Sequence, residues 1–198
     1  MAIVFACLML TIAAQESIRV NYHGGKPTIC DFVSAFLSAS VGDDDGCVDE
    51  SLNAMQHSWE LYQKGKPLPE GTKITVDSKH GYVVYEWTNN EHSLQIEMCY
   101  WNESDLKHKL FACSVKAFEN GVYHPGQFDG LEFYRYTNAT KKMVQTEDVG
   151  FEVKFYANDA SVSYDLPRAG KDITANYWYS NGKKVQKTQK WQGRRFSR

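Results

Sequence analysis

Apolar residues change their spacing once along this chain, near Pro69. Before it they follow a helical period. Ile29, Phe32, Val33, Phe36 and Leu37 recur at i, i+3, i+4, i+7 and i+8, the pattern of a helix with one face on a core. Thr28 stands at the capping position, with Asp31 three residues on to close a capping box. A strand from Ile18 to Tyr22 precedes this helix and ends in Gly24-Gly25 and Pro27. The stretch VGDDDGCVDE breaks the helix. A second one is predicted from about Ser51, with Leu52, Met55, Trp59 and Tyr62 on one stripe and Gly65 and Pro67 as stop signals. Two helices joined by a short acidic loop make a helical hairpin.

After Pro69 the period falls to two. KITVDSKHGYVVYEW, HSLQIEMCYW, HKLFACSVKAF, GLEFYRYT, GFEVKFYA, ASVSYDL, DITANYWYS and KKVQKTQKW are rich in aromatic and β-branched residues and are separated by Gly, Asn or Asp. They read as antiparallel strands. Three of them end alike, in Tyr, any residue, an aromatic, Ser or Thr, then Asn, starting at Tyr85, Tyr134 and Tyr177. Two large side chains on one face of a strand end, followed by residues that open turns, predict a hairpin tip at each copy. The spacing raises an internal duplication, and a closed propeller is excluded because it needs at least four blades. The expected class is α+β: an N-terminal helical hairpin followed by antiparallel β meanders in one or two sheets.

Composition supports an ordinary globular protein: 198 residues, 42% hydrophobic and 14% aromatic, which excludes disordered and collagen-like classes. The opening MAIVFACLMLTIAAQES has the apolar run and small residues of a secretory signal, here residues 1–14, and is too short to span a bilayer. No basic residue precedes Arg19, so a start further upstream is expected. The rival reading is a buried N-terminal helix. The apolar run continues past Cys7, which argues against lipidation there. Residues 15–198 then form one domain, with the helical part in 15–69, the meanders in 70–198 and no transmembrane segment. Residues 1–99 hold 6 of the 22 basic and 13 of the 24 acidic residues, which fits a soluble domain with two differently charged faces.

The mature chain would keep Cys30, Cys47, Cys99 and Cys113. If the hairpin through CYWNESDLKHKLFAC turns about Leu106, Trp101 faces Phe111 and Cys99 faces Cys113, a placement suited to a disulfide. Cys30 and Cys47 fall at opposite ends of the first helix, roughly 15–18 Å apart at 1.5 Å per residue. The alternative is four buried, reduced cysteines.

Catalytic motifs are scarce. His108 lies at a loop end and is a poor partner for a Cys113 nucleophile, and His23, His80 and His124 each stand at a turn. The acidic run Asp43–Asp45 lacks EF-hand spacing about Gly46. HGGK lacks the spacing of a phosphate loop. Asp129 and Glu132 are an odd number of strand positions apart and so point to opposite faces. Asn102 and Asn138 open glycosylation tripeptides, which are common by chance. No catalytic residue, metal or cofactor is expected.

The C-terminal hairpin carries the most informative surface. With Asn181-Gly182 as a two-residue turn, Tyr179 faces Lys184, Tyr177 faces Gln186 and Ile173 faces Lys190, while Trp178 faces Val185 on the other side. KKVQKTQK is too polar for a central strand and reads as a lysine-guarded edge. Tyr177, Trp178 and Tyr179 beside Lys184, Lys190, Arg194 and Arg195 suit an anionic polymer, such as stacked sugars bearing carboxylate or sulfate. Edge protection explains the lysines as well.

The stretches IRVNYHGGKPTICDF, GYVVYEW, IEMCYWNESDLKHKLFACSV, GQFDGLEFYRYTNATKKM, LPRAGKDI and KWQGRRF together resemble a group of small exported proteins of Bacteroides-type gut bacteria. The resemblance implies a periplasmic or outer-surface home and brings no activity with it. The expected function is a non-enzymatic envelope protein that binds a glycan or another envelope protein, with nucleic acid the poorer partner. The alternatives are a polysaccharide or cell-wall hydrolase whose catalytic pair comes from different strands, and a hydrolase or protease inhibitor.

Overall fold

The computed structural model describes residues 16–40, 50–125 and 130–197. The leader segment 1–14, Cys7, the acidic run Asp43–Asp45, Cys47 and Asp129 lie outside them. Chain order is β1 (Ser17–Arg19), α1 (Ile29–Ser40), α2 (Glu50–Gln63), β2 (Thr72–Asp77), β3 (Tyr82–Thr88), β4 (His92–Asn102), β5 (His108–Glu119) and β6 (Val122–Tyr123). It continues through β7 (Gly130–Thr137), β8 (Lys142–Gln145), β9 (Tyr156–Ala157), β10 (Ala160–Asp165), β11 (Ile173–Tyr179), β12 (Lys184–Trp191) and β13 (Phe196–Ser197). Among the described residues the class is α+β, with two helices and antiparallel strands in two sheets.

Helix α1 begins where its cap predicts. The Asp31 carboxylate accepts both the Thr28 N–H and the Thr28 hydroxyl at 2.7 Å, which satisfies donors the first turn leaves open. The five apolar positions of the stripe are its buried residues. α2 packs on α1, and the Trp59 indole and the Gln63 amide both donate to Ser34 Oγ. Its stripe is rotated from the expected one: Met55, Ser58 and Trp59 are buried, whereas Tyr62 is 40% exposed and stacks on Trp59.

The larger sheet runs β1-β8-β7-β5-β4-β3-β2, with β6 on β5, and the smaller runs β13-β12-β11-β10-β9. The larger sheet is buried on both faces. One face, with Val83, Tyr85, Ile96, Met98, Phe111 and Tyr136, receives the helices; the other, with Tyr82, Val84, Trp101, Leu110, Ala112 and Phe133, receives Val162, Tyr164, Ile173 and Ala175 of the smaller sheet. Long apolar runs without clean alternation follow from this double burial.

All three copies of the aromatic motif stand at hairpin tips, between β3 and β4, β7 and β8, and β11 and β12. Two registers differ from expectation by one residue. In the β4–β5 hairpin Cys99 faces Ala112, Met98 faces Cys113 and Trp101 faces Leu110. A slip of one position sends every side chain to the other face. Cys99 thus packs among the residues facing the smaller sheet and Cys113 among those facing the helices, and the expected bridge between them is not formed. In the β11–β12 hairpin Trp178 faces Lys184, Tyr177 faces Val185, Asn176 faces Gln186 and Ile173 faces Gln189. Two strands are also shorter than expected: β1 ends at Arg19, and within GFEVKFYA only Tyr156–Ala157 pairs.

Candidate binding face

Strand alternation divides the expected site residues. The facing pairs Trp178 with Lys184, Asn176 with Gln186, and Thr174 with Thr188 share one face of the smaller sheet, together with Ser161, Ser163 and Asp165 of β10. Tyr177 lies on the opposite face, packed against the core between the sheets, with the Lys187 ammonium 4.6 Å from its ring centroid. Tyr179 belongs by register to that same opposite face, with Lys183 at 5.9 Å. Lys190 lies six residues beyond Lys184, on the Trp178 side and roughly 20 Å along the strand. Arg195 is drawn away into an ion pair with Asp148 at 2.5 Å, and Arg194 contributes to the field that, with Arg195, holds the Asp148 carboxyl below its usual value. β12 is an edge along Lys184–Gln189, since β13 pairs only with Lys190 and Trp191.

The Trp178 face is built rather than incidental. The indole N–H donates to Ser163 Oγ at 2.8 Å, which fixes the ring plane. Phe118 and Tyr123 lie 6.1 and 5.9 Å from it, and the Lys184 ammonium sits 4.1 Å from its centroid. Beside it runs a ladder of polar groups. Gln186 Nε2 donates to Asn176 Oδ1, and Asn176 Nδ2 to Asp165 Oδ2, each at 2.8 Å. Asn176 is buried, whereas Lys184, Gln186 and Thr188 are exposed, so the face opens toward the β12 edge. An aromatic ring flanked by ordered amides and a carboxylate is suited to hydroxyl-rich ligands, and the lysines add preference for anionic ones.

Asp165 also joins a charge cluster that periodicity alone does not reveal. Lys116 Nζ lies 2.8 Å from Glu97 Oε2 and 2.7 Å from Asp165 Oδ1. Burial pushes the Asp165 carboxyl up, but Lys116, the Asn176 hydrogen bond and the more distant Lys184 outweigh it and leave the group below its ordinary value. Glu97 is fully engaged: Tyr82 OH donates to Oε1 and the Leu166 N–H to Oε2. Burial and the Glu97 charge push the Tyr82 hydroxyl far up. With both its oxygens occupied, Glu97 is poorly placed to act as a general acid or base on a bound sugar.

At the β4–β5 tip, Glu103, Asp105 and His108 bring one donor atom each within 4.8 Å of one another. Glu103 is already paired with Arg135 at 2.7 Å and His108 Nδ1 with Asp105 at 2.6 Å, so all three groups already have partners. His108 and Cys113 are five strand positions apart, roughly 17 Å and on opposite faces, and do not form a nucleophile–base pair. Among the described residues, two of the clefts lie elsewhere. One of about 560 Å³ is bordered by Arg19, Asp31, Ser34, Tyr134 and Gln145. The other, about 800 Å³, is bordered by Glu132, Phe133, Glu147, Phe151 and Phe155. The expected hairpin residues line neither. Among the described residues no helix is long and apolar enough to cross a membrane. Compared with protein-family models, curated proteins and solved structures, the chain matches none.

Proposed function

We propose that this chain is a non-enzymatic exported envelope protein that binds a glycan on the Trp178 face of its smaller sheet. The observation that carries the reading is the fixed indole of Trp178, hydrogen-bonded to Ser163 and standing beside the Asp165–Asn176–Gln186 ladder. A sugar ring needs an apolar plane for its C–H face and polar groups for its hydroxyls, and the half-buried Trp178 ring with the exposed Gln186 and Thr188 side chains beside it is suited to both. Lys184 and Lys190 favour sugars with carboxylate or sulfate groups. The apolar opening of the sequence and its resemblance to exported proteins of Bacteroides-type bacteria support a periplasmic or outer-surface location. In this reading α1 and α2 form a helical hairpin that braces the larger sheet, and the repeated tip motif records a duplicated meander.

The test is a tryptophan-fluorescence titration against neutral, uronic-acid-bearing and sulfated glycans, with each glycan recovered afterwards. A saturable shift with intact acidic glycan, lost in Trp178→Ala and weakened in Gln186→Ala, supports the reading. Silence across the panel sinks it. Shortened glycan would instead favour a hydrolase.

A further inference from the structure

A lysine is held inside the contact between the two sheets. The Lys116 side chain is only 2% exposed, and its ammonium is shared by carboxylates from two different strands, Glu97 of β4 and Asp165 of β10. Glu97, 8% exposed, is held by Tyr82 OH and the Leu166 N–H. Asp165 is held through its second oxygen by Asn176. Every group that could let the three side chains drift apart is tied down.

We propose that Lys116 and Asp165 become covalently joined, as an amide between Nζ and Cγ that locks the smaller sheet to the larger. The Glu97 carboxylate takes a proton from the Lys116 ammonium, and the neutral amine attacks Asp165 Cγ, whose Oδ2 is polarised by the Asn176 N–H. A Cγ–Nζ bond forms and the Cγ–Oδ1 bond breaks. Oδ1 leaves as water with two of the three ammonium protons, relayed through Glu97, which ends as the carboxylate it began as. Ammonium and carboxylate give amide and water, and no oxidant or further reactant enters.

Such condensation is unfavourable between free molecules in water. Held groups behave as if at about 10⁵–10⁸ M, and here nitrogen and oxygen already lie 2.7 Å apart. The amine is sealed, while the Asp165 side chain, 42% exposed, gives the departing water an exit. The reaction occurs once per molecule, so slow chemistry suffices.

The full chain, purified and folded, is weighed by intact-mass spectrometry against the mass expected from its observed N-terminus. The expected result is a deficit of one water, with a branched peptide containing Lys116 and Asp165 after digestion. Lys116→Met and Asp165→Ala restore the full mass, and Glu97→Gln slows the loss. The wild-type measurement decides even where a variant fails to fold. Full mass after days of incubation overturns the proposal. So does a water loss confined to one linear peptide, which marks a cyclic imide at Asp165 rather than a cross-link.

Discussion

Cys99 and Cys113 lie on neighbouring strands of one hairpin but on opposite faces of its sheet. Digestion under non-reducing conditions should therefore yield no peptide joining them, even after mild oxidation. Recovery of that bridged peptide would place the β4–β5 register one residue away. Cys30, half-buried at the start of α1, should alkylate well before Cys99. Both thiols are held above their ordinary values by burial, with Asp31 adding to the effect on Cys30 and Glu97 to that on Cys99, so even Cys30 reacts slowly near neutral pH.

Phe32 joins the helices to the larger sheet. It is fully buried, with ring centroids of Tyr136, Tyr100 and Phe111 at 5.1, 5.3 and 5.8 Å. Phe32→Ala should cost about 3–5 kcal/mol in urea unfolding. Tyr62→Ala, which removes a largely exposed ring stacked on Trp59, should cost about 1 kcal/mol. Equal losses would mean that the helices do not seat on the sheet through α1.

Element type was legible in the sequence because it rests on period, and period survives small errors of counting. The α1 stripe, its cap and the three motif-bearing hairpin tips follow from it directly. Facing pairs were not legible because they depend on loop length. β4 and β5 are joined by the five residues Glu103–Lys107, with Leu106 at φ 58°, a conformation unusual for leucine that nothing in its side chain announces. Between β11 and β12 the Tyr179 N–H donates to Lys183 O, and this closing pair encloses three residues, with Gly182 at φ 80°. That is a type I turn with a bulge, rather than the two-residue turn Asn-Gly suggests. One extra residue was enough to reassign Trp178 from Val185 to Lys184. The charge cluster was hidden differently. Lys116 and Glu97 sit in runs that are apolar on both faces, and Asp165 reaches them from the other sheet.

Asp77 supplies a pH test of how the sheets are held. Its carboxyl accepts from His80 in its own turn and from Arg168 in the loop after β10. Chiefly through the His80 hydrogen bond, it is lowered to about 2. A carboxyl depressed in the folded state stabilises the fold above its unfolded value of about 4, and that contribution fades as pH falls toward 2. Wild type should exceed Asp77→Asn in urea midpoint at pH 6, with the gap closing between about pH 4 and pH 2. A gap independent of pH would mean that the carboxylate charge is not what Asp77 contributes.

Lys184 decides what kind of ligand the Trp178 face accepts. Its ammonium covers the ring at 4.1 Å, an arrangement worth about 0.5–1 kcal/mol at an exposed site. A neutral sugar must displace it in order to stack, whereas an acidic sugar can keep it as a partner. Lys184→Ala should therefore lower stability by no more than about 1 kcal/mol and make the emission easier to quench with acrylamide. It should also move the two ligand classes in opposite directions. Binding of an acidic glycan should fall about two- to fivefold and lose part of its salt dependence, while binding of a neutral analogue should hold or improve. If both classes weaken together, the lysine acts by positioning the indole, and the preference for anionic sugars must come from Lys190 or from elsewhere on the edge.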